Sequence, residues 1–306
     1  MIDSLGSLSD LSHLHPIAQA TVYLPNPERM MRIRSERWIG YTRAHQALSK
    51  LEELFTFPKR QRMPNLLIIG PTNNGKSMIV EKFRRAHPSQ PLENTPNEII
   101  PVLVMQMPSD PSISRFYYLL LAAMNAPIRP RMRLVDLEPL SLKLLRATAV
   151  QMLVIDECHN MLAGSNSMQR EFLNLVRFLG NELQIPIVCV GTREAYLAIR
   201  SDDQLENRFE PFILPTWQEG EELMSLLASF AASFPLRYPS SVHQPELARY
   251  VLSRTEGTIG EISALLARAA IAAIESGEEA INARTLALAD YESPTERRKA
   301  FERQLR

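Results

Sequence analysis

The feature that most constrains this chain is a short apolar run that leads into a glycine-bounded loop and then a helix. Residues 66–69 predict a buried strand, and the pattern G-x-x-x-x-G-K-S follows it and opens a helical periodicity. A chance match in an ordinary turn is the alternative, and the flanking strand and helix argue against it. The candidate ligand-binding residues of this phosphate loop are Gly70, Pro71, Thr72, Asn73, Asn74, Gly75, Lys76, Ser77 and Met78.

The chemistry of the loop comes from its backbone and from two side chains. Backbone N–H groups of residues 73–77 can converge on a triphosphate, and the positive end of the helix dipole adds to their field. Lys76 can reach the β- and γ-phosphates, and Ser77 can ligate Mg²⁺. We therefore expect the loop to bind a nucleoside triphosphate together with Mg²⁺.

Composition limits the classes of protein that remain. The chain has 306 residues, 45% of them hydrophobic, enough for about two domains or one large one. Its 34 basic and 34 acidic side chains balance, so binding to nucleic acid would need local basic patches. No apolar run approaches the ~20 residues of a membrane span, and no signal-peptide pattern opens the chain. We expect a cytoplasmic protein without a membrane partner, with Cys158 and Cys189 as buried free thiols.

A second apolar run, residues 152–155, leads directly into the carboxylates Asp156 and Glu157. This is the pattern of a Walker B element, whose first carboxylate holds Mg²⁺, usually through water, while the second orients or deprotonates the attacking water. Acids after an apolar run are common, so the pattern gains its meaning from the phosphate loop that precedes it.

Other strands are predicted at residues 99–107, 187–190 and 209–214, alternating with helices. Such alternation predicts an α/β fold with a parallel five-stranded sheet and a ligand at the carboxyl ends of the strands. Thr192 follows the strand at 187–190, where its hydroxyl can sense a γ-phosphate, cap the next helix, or do both. Arg208 directly precedes the last strand.

The strand pattern stops near Trp217, and the rest of the chain reads as helical. The predicted division is an N-terminal arm at 1–34, an α/β domain at 35–216, a small all-helical domain at 217–290, and a basic tail at 291–306. Residues 1–30 are expected to be extended or poorly ordered, with a short turn of helix possible at about 10–20, and residues 294–306 are expected to be mobile or partner-dependent. Trp38, Ile39 and Tyr41 stand just before the first long helix. Judged from residue type and position alone, these three side chains are better explained as a surface staple beside the helix than as part of a pocket for a nucleotide base.

This order of motifs resembles the AAA+ ATPases and, more narrowly, the TniB/TnsC group of DNA-transposition regulators. The resemblance covers roughly residues 35–290. It is carried by the stretches 70–77, 153–157, 187–192, 206–209 and 256–260. The general motifs are highly specific for AAA+ proteins, whereas the narrower assignment rests on weaker matches.

The resemblance implies ATP as the nucleotide, with Lys76 on the phosphates, Ser77 and Asp156 on Mg²⁺, and Glu157 on the water. It implies that Thr192 is the first sensor and that Arg208 is a finger that reaches the γ-phosphate of a neighbouring subunit. A salt bridge from Arg208 to Glu206 or Glu210 is the plainer alternative.

The resemblance also bears on the base and on the helical lid. It implies that Trp38, Ile39 and Tyr41 line the adenine pocket, which reverses the preference for a staple. Gly260 and Glu261 stand where many AAA+ lids carry an arginine. This departure predicts slow or partner-dependent hydrolysis.

Two functions compete. The leading one, implied by the resemblance, is an ATPase that forms a homo-oligomeric ring or helical filament on double-stranded DNA without sequence specificity, and that recruits or activates a transposase together with a target-selection protein. The alternative is an ATP-dependent protein remodeller or another initiator- or loader-like ATPase associated with DNA. Residues 156–159 also suggest a helicase of the DExH type. This possibility is disfavoured, because no second nucleotide-binding-like core follows in the sequence to complete a motor.

The two functions require different side chains on the inner surface of the oligomer. Candidate DNA contacts are Arg115, Arg131 and Arg133, since guanidinium groups suit phosphates. A remodeller would instead present an aromatic loop, for which residues 116–118 are the candidate. Their helical spacing beside two leucines favours a place in the core.

Overall fold

The fold was analysed in a computed structural model that describes residues 10–91, 98–110, 112–162 and 165–304. The helices are α1 (Pro16–Thr21), α2 (Asn26–Arg34), α3 (Thr42–Phe55), α4 (Lys76–Ala86), α5 (Ile113–Ala123), α6 (Leu134–Ala147), α7 (Asn166–Leu183), α8 (Arg193–Arg200), α9 (Asp203–Glu206), α10 (Glu221–Ser233), α11 (Pro245–Thr255), α12 (Ile259–Ser276), α13 (Ala283–Leu288) and α14 (Pro294–Gln304), with a 3₁₀ helix at Cys158–Leu162. The strands are β1 (Asn65–Ile69), β2 (Gln90–Pro91), β3 (Glu98–Ile99), β4 (Val102–Gln106), β5 (Met152–Asp156), β6 (Ile187–Gly191) and β7 (Phe209–Ile213).

The chain divides into two compact units. The α/β unit is Thr42–Pro215, and the helical unit combines Met1–Tyr41 with Thr216–Arg306. The break after residue 215 lies one residue from the predicted start of the helical domain. The N-terminal division differs more, because the segment before Thr42 groups with the C-terminal helices and not with the sheet.

The α/β unit is built on a five-stranded sheet in the order β4-β5-β6-β1-β7, and every pairing in it is parallel. The parallel five-stranded sheet predicted from the sequence is thereby confirmed. All residues of β1 and β6 are buried, as expected for central strands covered on both faces. The register places the carboxyl ends of these strands along one edge of the sheet, which is where parallel sheets bind ligands.

One predicted strand is interrupted. Residues 99–107 were expected to be continuous, but Glu98–Ile99 pairs antiparallel with Gln90–Pro91, and the sheet strand starts only at Val102. Pro101 lies at the break and has no N–H to donate to a ladder. Its carbonyl instead accepts the N–H groups of Gln151 and Met152, which fixes the start of β5.

The core of the α/β unit follows the alternation of side chains along each strand. Leu67, Leu103 and Leu153 face one large hydrophobic cluster, into which α5 and α7 insert Phe116 and Phe172. Phe116 and Tyr117 are fully buried there, as the helical spacing predicted. Further buried members of this cluster are Ile69, Met105, Ile155, Cys189, Tyr117, Leu120, Leu145 and Leu179.

The helical unit has its own core, and the N-terminal segment belongs to it. Ile33 of α2 is buried among residues of α10 and α12, including Leu227 and Leu266. Arg29 is fully buried and donates to both carboxylate oxygens of Glu279 and to the carbonyl of Pro235. Over residues 10–34 the expected arm is therefore two helices. Helix α1 lies close to the turn of helix considered for residues 10–20, whereas α2, which is fixed by a buried ion pair, was not expected. Residues 1–9 lie outside the described part of the chain.

The C-terminal segment also differs from the predicted mobile tail. Residues 294–304 form α14, which buries no side chain but pairs Glu296 with Arg254 at 3.1 Å and Arg297 with Glu261 at 2.7 Å. These ion pairs join α14 to α11 and α12, and a helix without a fully buried side chain has no apolar periodicity that could have revealed it. Residues 305–306 of the predicted tail lie outside the described range.

Within the described residues, no single helix is both long enough and apolar enough to cross a membrane. Helices α11 and α12 reach that length and hydropathy only as a pair, which is bent by 116° at the break between them.

The buried pair of Arg29 and Glu279 generates a prediction about stability. Arg29→Ala leaves the Glu279 carboxylate buried without its partner and should lower the free energy of unfolding by about 3–5 kcal/mol. The control is Arg237→Ala, because Arg237 is exposed and lies 3.8 Å from the same carboxylate. It should cost less than about 1 kcal/mol. Denaturant titration followed by circular dichroism measures both, and equal costs would contradict the role given to Arg29.

Candidate nucleotide-binding site

The phosphate loop joins β1 to α4 and takes a conformation that depends on its glycines. Gly75 has φ of 80° and Asn73 has φ of 60°, both in the left-handed region that glycine and asparagine tolerate best. At Gly70 the backbone runs so close to β7 that a Cβ would lie 2.7 Å from the carbonyl oxygen of Leu214. Glycine is thus required where the loop leaves the sheet and where the helix begins.

Asn74 ties the loop to the end of β7. Its side-chain amide donates to the carbonyl oxygens of Leu214 and Pro215, both at 2.9 Å, and the residue is buried. The neighbouring loop residues Pro71, Thr72 and Asn73 are exposed. A loop fixed at its centre and open on its outer side leaves backbone groups accessible to a phosphate chain.

Lys76 is the first residue of α4, and its ammonium group lies inside the loop. Nζ donates to the carbonyl oxygens of Gly70 at 2.9 Å and Pro71 at 2.6 Å, and the residue is buried. Burial lowers the pKa of Lys76, whereas the negative charges of Glu157 and Asp156 act to raise it. The ammonium group is therefore close to both predicted carboxylates.

Ser77 and Asp156 meet across the site. The Ser77 hydroxyl donates to Oδ2 of Asp156 at 2.6 Å, although the residues belong to α4 and β5. A hydroxyl and a carboxylate are hard oxygen donors of the kind that Mg²⁺ takes. Within the described residues there is no group of three or more His, Cys, Asp or Glu side chains that could hold a metal. A site with one carboxylate fits Mg²⁺, which keeps waters and completes its shell with phosphate oxygens.

Glu157 directly follows β5 in a left-handed conformation, with φ of 56°. Its backbone N–H donates to Oδ1 of Asp156 at 2.8 Å. Its carboxylate oxygen Oε2 lies 3.1 Å from Nε2 of His159 in the 3₁₀ helix. The Glu157 carboxylate is therefore in contact with His159, whereas the Asp156 carboxylate accepts the Ser77 hydroxyl.

Thr192 lies at the carboxyl end of β6 and is the N-cap residue of α8. Its side chain makes no capping hydrogen bond to the backbone and instead donates to the carboxylate of Glu194. That bond lowers the pKa of Glu194, and the charge of His159 contributes in the same direction. The Thr192 side chain therefore does not cap α8, and its role as a sensor of the γ-phosphate stays a prediction.

Arg208 lies at the opposite edge of the sheet, where the strands β1 and β7 begin. Its carbonyl oxygen accepts the N–H of Asn65, the first residue of β1, at 2.9 Å. Its guanidinium donates to Asn181 of α7 at 2.8 Å, and neither Glu206 nor Glu210 pairs with it. Those glutamates pair with Arg200 and Lys50, so the simple salt bridge considered above is not formed.

The residues assigned to the base and to the lid lie in the helical unit. Trp38, Ile39 and Tyr41 are half-buried, and the Tyr41 ring packs edge-on against Trp217 with 5.1 Å between centroids. Burial, aided by the charge of Glu222, raises the pKa of Tyr41 to about 12. The assignment of the three residues to adenine stays a prediction.

The backbone just before α12 takes a conformation that depends on Gly257. Gly257 has φ of 71°, and a Cβ there would lie 2.8 Å from the carbonyl oxygen of Trp217. After Gly260 comes Glu261, which is buried and accepts hydrogen bonds from the Tyr291 hydroxyl at 2.8 Å and from Arg297 at 2.7 Å. The position where many AAA+ lids carry an arginine therefore holds a carboxylate that the C-terminal helix neutralises.

The three candidate DNA-binding arginines are all exposed. Arg115 lies in the first turn of α5, 3.5 Å from Asp110, and Arg133 lies 3.6 Å from Asp136. Tyr118, one turn after Arg115, donates to the carbonyl of Arg129 at 3.3 Å and accepts the N–H of Met132 at 2.9 Å. Its hydroxyl thus fixes the basic loop beside the helix face that carries Arg115.

Several residues of the site carried no usable signal in the sequence. The contact of His159 with Glu157 could have been suspected from the spacing of the 156–159 stretch. By contrast, the contacts of Asn74 with Leu214 and of Arg208 with Asn181 depend on tertiary structure. Local spacing predicts neither of them.

The fold is shared with AAA+ proteins of known structure. Orc1 of Aeropyrum pernix, solved in complex with DNA, matches with a TM-score of 0.60 and 13% identity over 85% of this chain and 68% of that chain. Cdc6p of Pyrobaculum aerophilum matches with a TM-score of 0.58 and 16% identity over 81% and 67%. Aeropyrum pernix ORC2, solved as ADPNP–ADP complexes, matches with a TM-score of 0.56 and 15% identity over 84% and 71%.

No curated protein sequence matches the chain. The family model described as bacterial TniB protein matches residues 29–219, which is more than half of the chain and includes the whole phosphate loop, the Asp156–Glu157 pair, Thr192 and Arg208. The chain has the fold of these AAA+ proteins, and it belongs to the bacterial TniB family.

Proposed function

We propose that this chain is an ATP-dependent regulator of DNA transposition. It binds ATP with Mg²⁺, self-associates with ATP on double-stranded DNA, and recruits or activates a transposase at the target, acting with a target-selection protein. The observation that carries the proposal is the convergence of Lys76, Ser77, Asp156 and Glu157 at one edge of the sheet in a TniB-family chain.

Each of these groups has a role in hydrolysis. Mg²⁺, when bound, would offset the negative charge of the phosphates. Ser77 and Asp156 would hold it, and Lys76 would move from the loop carbonyls to the phosphates. Glu157 would orient a water, whose oxygen attacks the γ-phosphorus as the bond to the β-phosphate oxygen breaks. The water proton passes to Glu157 or to phosphate, and ADP and inorganic phosphate leave.

Two features of the chain support slow or partner-stimulated hydrolysis. The start of α12 offers Glu261 where a phosphate-sensing arginine would be expected. The γ-phosphate finger, Arg208, lies at the amino end of β7 and needs a second subunit to meet a nucleotide. The absent arginine predicts a slow basal rate, and the position of Arg208 makes the rate depend on assembly.

The arginine surface supports duplex DNA as the partner. Arg115, Arg131 and Arg133 are exposed, and Tyr118 fixes the loop that carries two of them. Repeated once per subunit, they would track the phosphate backbone, which carries no sequence information. The DNA complex of the Aeropyrum Orc1 neighbour supports the same choice of partner.

The competing function as a protein remodeller receives no support from the aromatic residues. Phe116 and Tyr117 are fully buried, and Tyr118 is occupied with the basic loop. None of them is presented as an exposed aromatic loop.

Two substitutions test the nucleotide site. Lys76→Ala should weaken ATP binding by about 10- to 100-fold, since a charge-assisted hydrogen bond is removed. Glu157→Gln should retain ATP binding but slow hydrolysis by about 10²–10⁴-fold, because an amide cannot accept the proton. Fluorescent-nucleotide titration and phosphate release measure the two effects. Glu53→Gln, on the exposed side of α3, is the control. Hydrolysis at the parental rate in the Glu157 variant would refute its role.

A charge-matched pair of variants tests the DNA surface. Replacing Arg115, Arg131 and Arg133 with alanine should weaken ATP-dependent binding to a labelled duplex. It should also make the slope of log K against log salt shallower by about 0.9 for each DNA phosphate that the protein no longer neutralises. The control replaces Arg84, Arg85 and Lys143, which removes the same charge from other exposed positions. Fluorescence anisotropy at several salt concentrations reads out both. If the two triple variants bind DNA equally weakly, the effect is general electrostatics and the assigned surface is wrong.

A further inference from the structure

His159 contacts the carboxylate that is proposed to orient the attacking water. It lies two residues after Glu157, in the 3₁₀ helix Cys158–Leu162, and its Nε2 is 3.1 Å from Oε2 of Glu157. An ionised carboxylate can only accept hydrogen bonds, so a ring at this distance is placed to donate its Nε2–H to Glu157. The contact engages one carboxylate oxygen and leaves the other for a water.

The backbone that carries His159 is fixed from three sides. Cys158 is fully buried, and its thiol donates to a carbonyl oxygen of β5 at 2.9 Å. The side-chain amide of Asn160 donates to the carbonyl oxygen of Met107, just after β4, at 3.0 Å. At Gly191, which ends β6, a Cβ would lie 3.3 Å from the backbone nitrogen of His159. The ends of three neighbouring strands therefore hold this histidine in place.

Glu157 has more freedom in its side chain than the ring has. The carboxylate of a glutamate is separated from the backbone by a chain of rotatable bonds, so without support it would sample many positions. Contact with a ring on a fixed backbone reduces that freedom. The direction of control therefore runs from His159 to Glu157.

The position in which Glu157 is held is close to the phosphate-binding lysine. Burial lowers the pKa of Lys76, and the charge of Glu157, ahead of that of Asp156, opposes the shift. With its carboxylate against His159, Glu157 therefore already acts on the group that would meet the phosphates. The contact keeps the carboxylate at the site and does not withdraw it.

Packing alone does not explain a histidine at this position. Nδ1 of the His159 ring is buried and, among the described residues, has no hydrogen-bond partner. A buried polar atom without a partner costs stability, and an apolar side chain would avoid that cost. The property of histidine that is used here is its Nε2, which contacts Glu157.

We infer that His159 is a positioning residue for hydrolysis, whose Nε2 holds the Glu157 carboxylate by one oxygen so that the other faces the attacking water. The inference rests on the proposed role of Glu157 and adds the group that fixes its direction. Alignment of the water with the γ-phosphorus contributes to the rate of hydrolysis and not to ATP affinity. Loss of the ring should therefore act on kcat and not on KM.

The test is steady-state ATP hydrolysis by the full chain at one protein concentration with duplex DNA present. His159→Ala should lower kcat by about 10- to 100-fold, as the loss of an orienting partner typically does, and leave KM within about twofold of the parent. The control is His45→Ala, on the exposed side of α3, which should leave both constants unchanged. Circular dichroism and fluorescent-nucleotide titration check folding and ATP binding. A kcat at or above the parental value in His159→Ala would overturn the inference.

Two further substitutions distinguish a donor at Nε2 from a ring that only fills space. In His159→Gln the amide nitrogen lies as many bonds from Cβ as Nε2 of histidine does, whereas in His159→Asn it lies as many bonds away as Nδ1. His159→Gln should therefore recover most of the lost kcat, and His159→Asn should not. If both lower kcat as much as His159→Ala, the ring is structural and the inference fails.

A comparison of double variants identifies the residue through which His159 acts. The other carboxylate that responds to the ring is Glu194, whose pKa is lowered mainly by the bond from the Thr192 hydroxyl and to a smaller extent by the charge of His159. In single-turnover phosphate release, His159→Ala should slow a Glu194→Gln protein as much as the parent and should not slow a Glu157→Gln protein further. The reverse pattern would assign the effect of His159 to Thr192 and overturn the inference.

The same measurements separate this inference from the proposed function. If the parent does not hydrolyse ATP, or if Glu157→Gln hydrolyses it like the parent, the proposed role of Glu157 fails and this inference fails with it. If Glu157→Gln is inactive and His159→Ala keeps the parental kcat, only the inference fails.

Discussion

The parallel register of the central sheet is the constraint on which the rest of the site depends. It sets the carboxyl ends of β1, β5 and β6 along one edge, so that a helix opening after β1 brings Ser77 to Asp156 at 2.6 Å. The close approach of Gly70 to Leu214 and the anchoring of Asn74 then fix the loop between them. A shift in the register of one of these strands would separate the Ser77 hydroxyl from the Asp156 carboxylate. No pair of oxygen atoms would then be in place for a metal.

The same register gives the α/β unit two chemically different ends. Carboxylates and the phosphate loop lie at the carboxyl ends of the strands, and Arg208 lies at the amino end of β7. In the proposed assembly, head-to-tail contacts would bring Arg208 of one subunit to the nucleotide of the next. Such contacts close into a ring or continue as a helix, depending on the rotation per subunit. In this account ATP is both the substrate and part of the contact between subunits.

Much of the α/β unit could be predicted because its signals are local. The apolar run before Gly70 and the run before Asp156 each specify a strand and the chemistry at its end. What could not be predicted depends on partners distant in the chain. Arg29 binds Glu279 across 250 positions, so a segment that looked like a free arm is part of a helical core. Helix α14 buries nothing and is held by charges, which leaves no apolar stripe to recognise.

The most direct test of the central claim is an electron cryomicroscopy structure of the chain assembled with a non-hydrolysable ATP analogue on duplex DNA. The account predicts nucleotide at every subunit interface, with the triphosphate between the phosphate loop of one copy and Arg208 of the next. It also predicts that Arg131 and Arg133 face the DNA backbone. Nucleotide remote from the interfaces, or an Arg208 that faces solvent in the assembly, would contradict it.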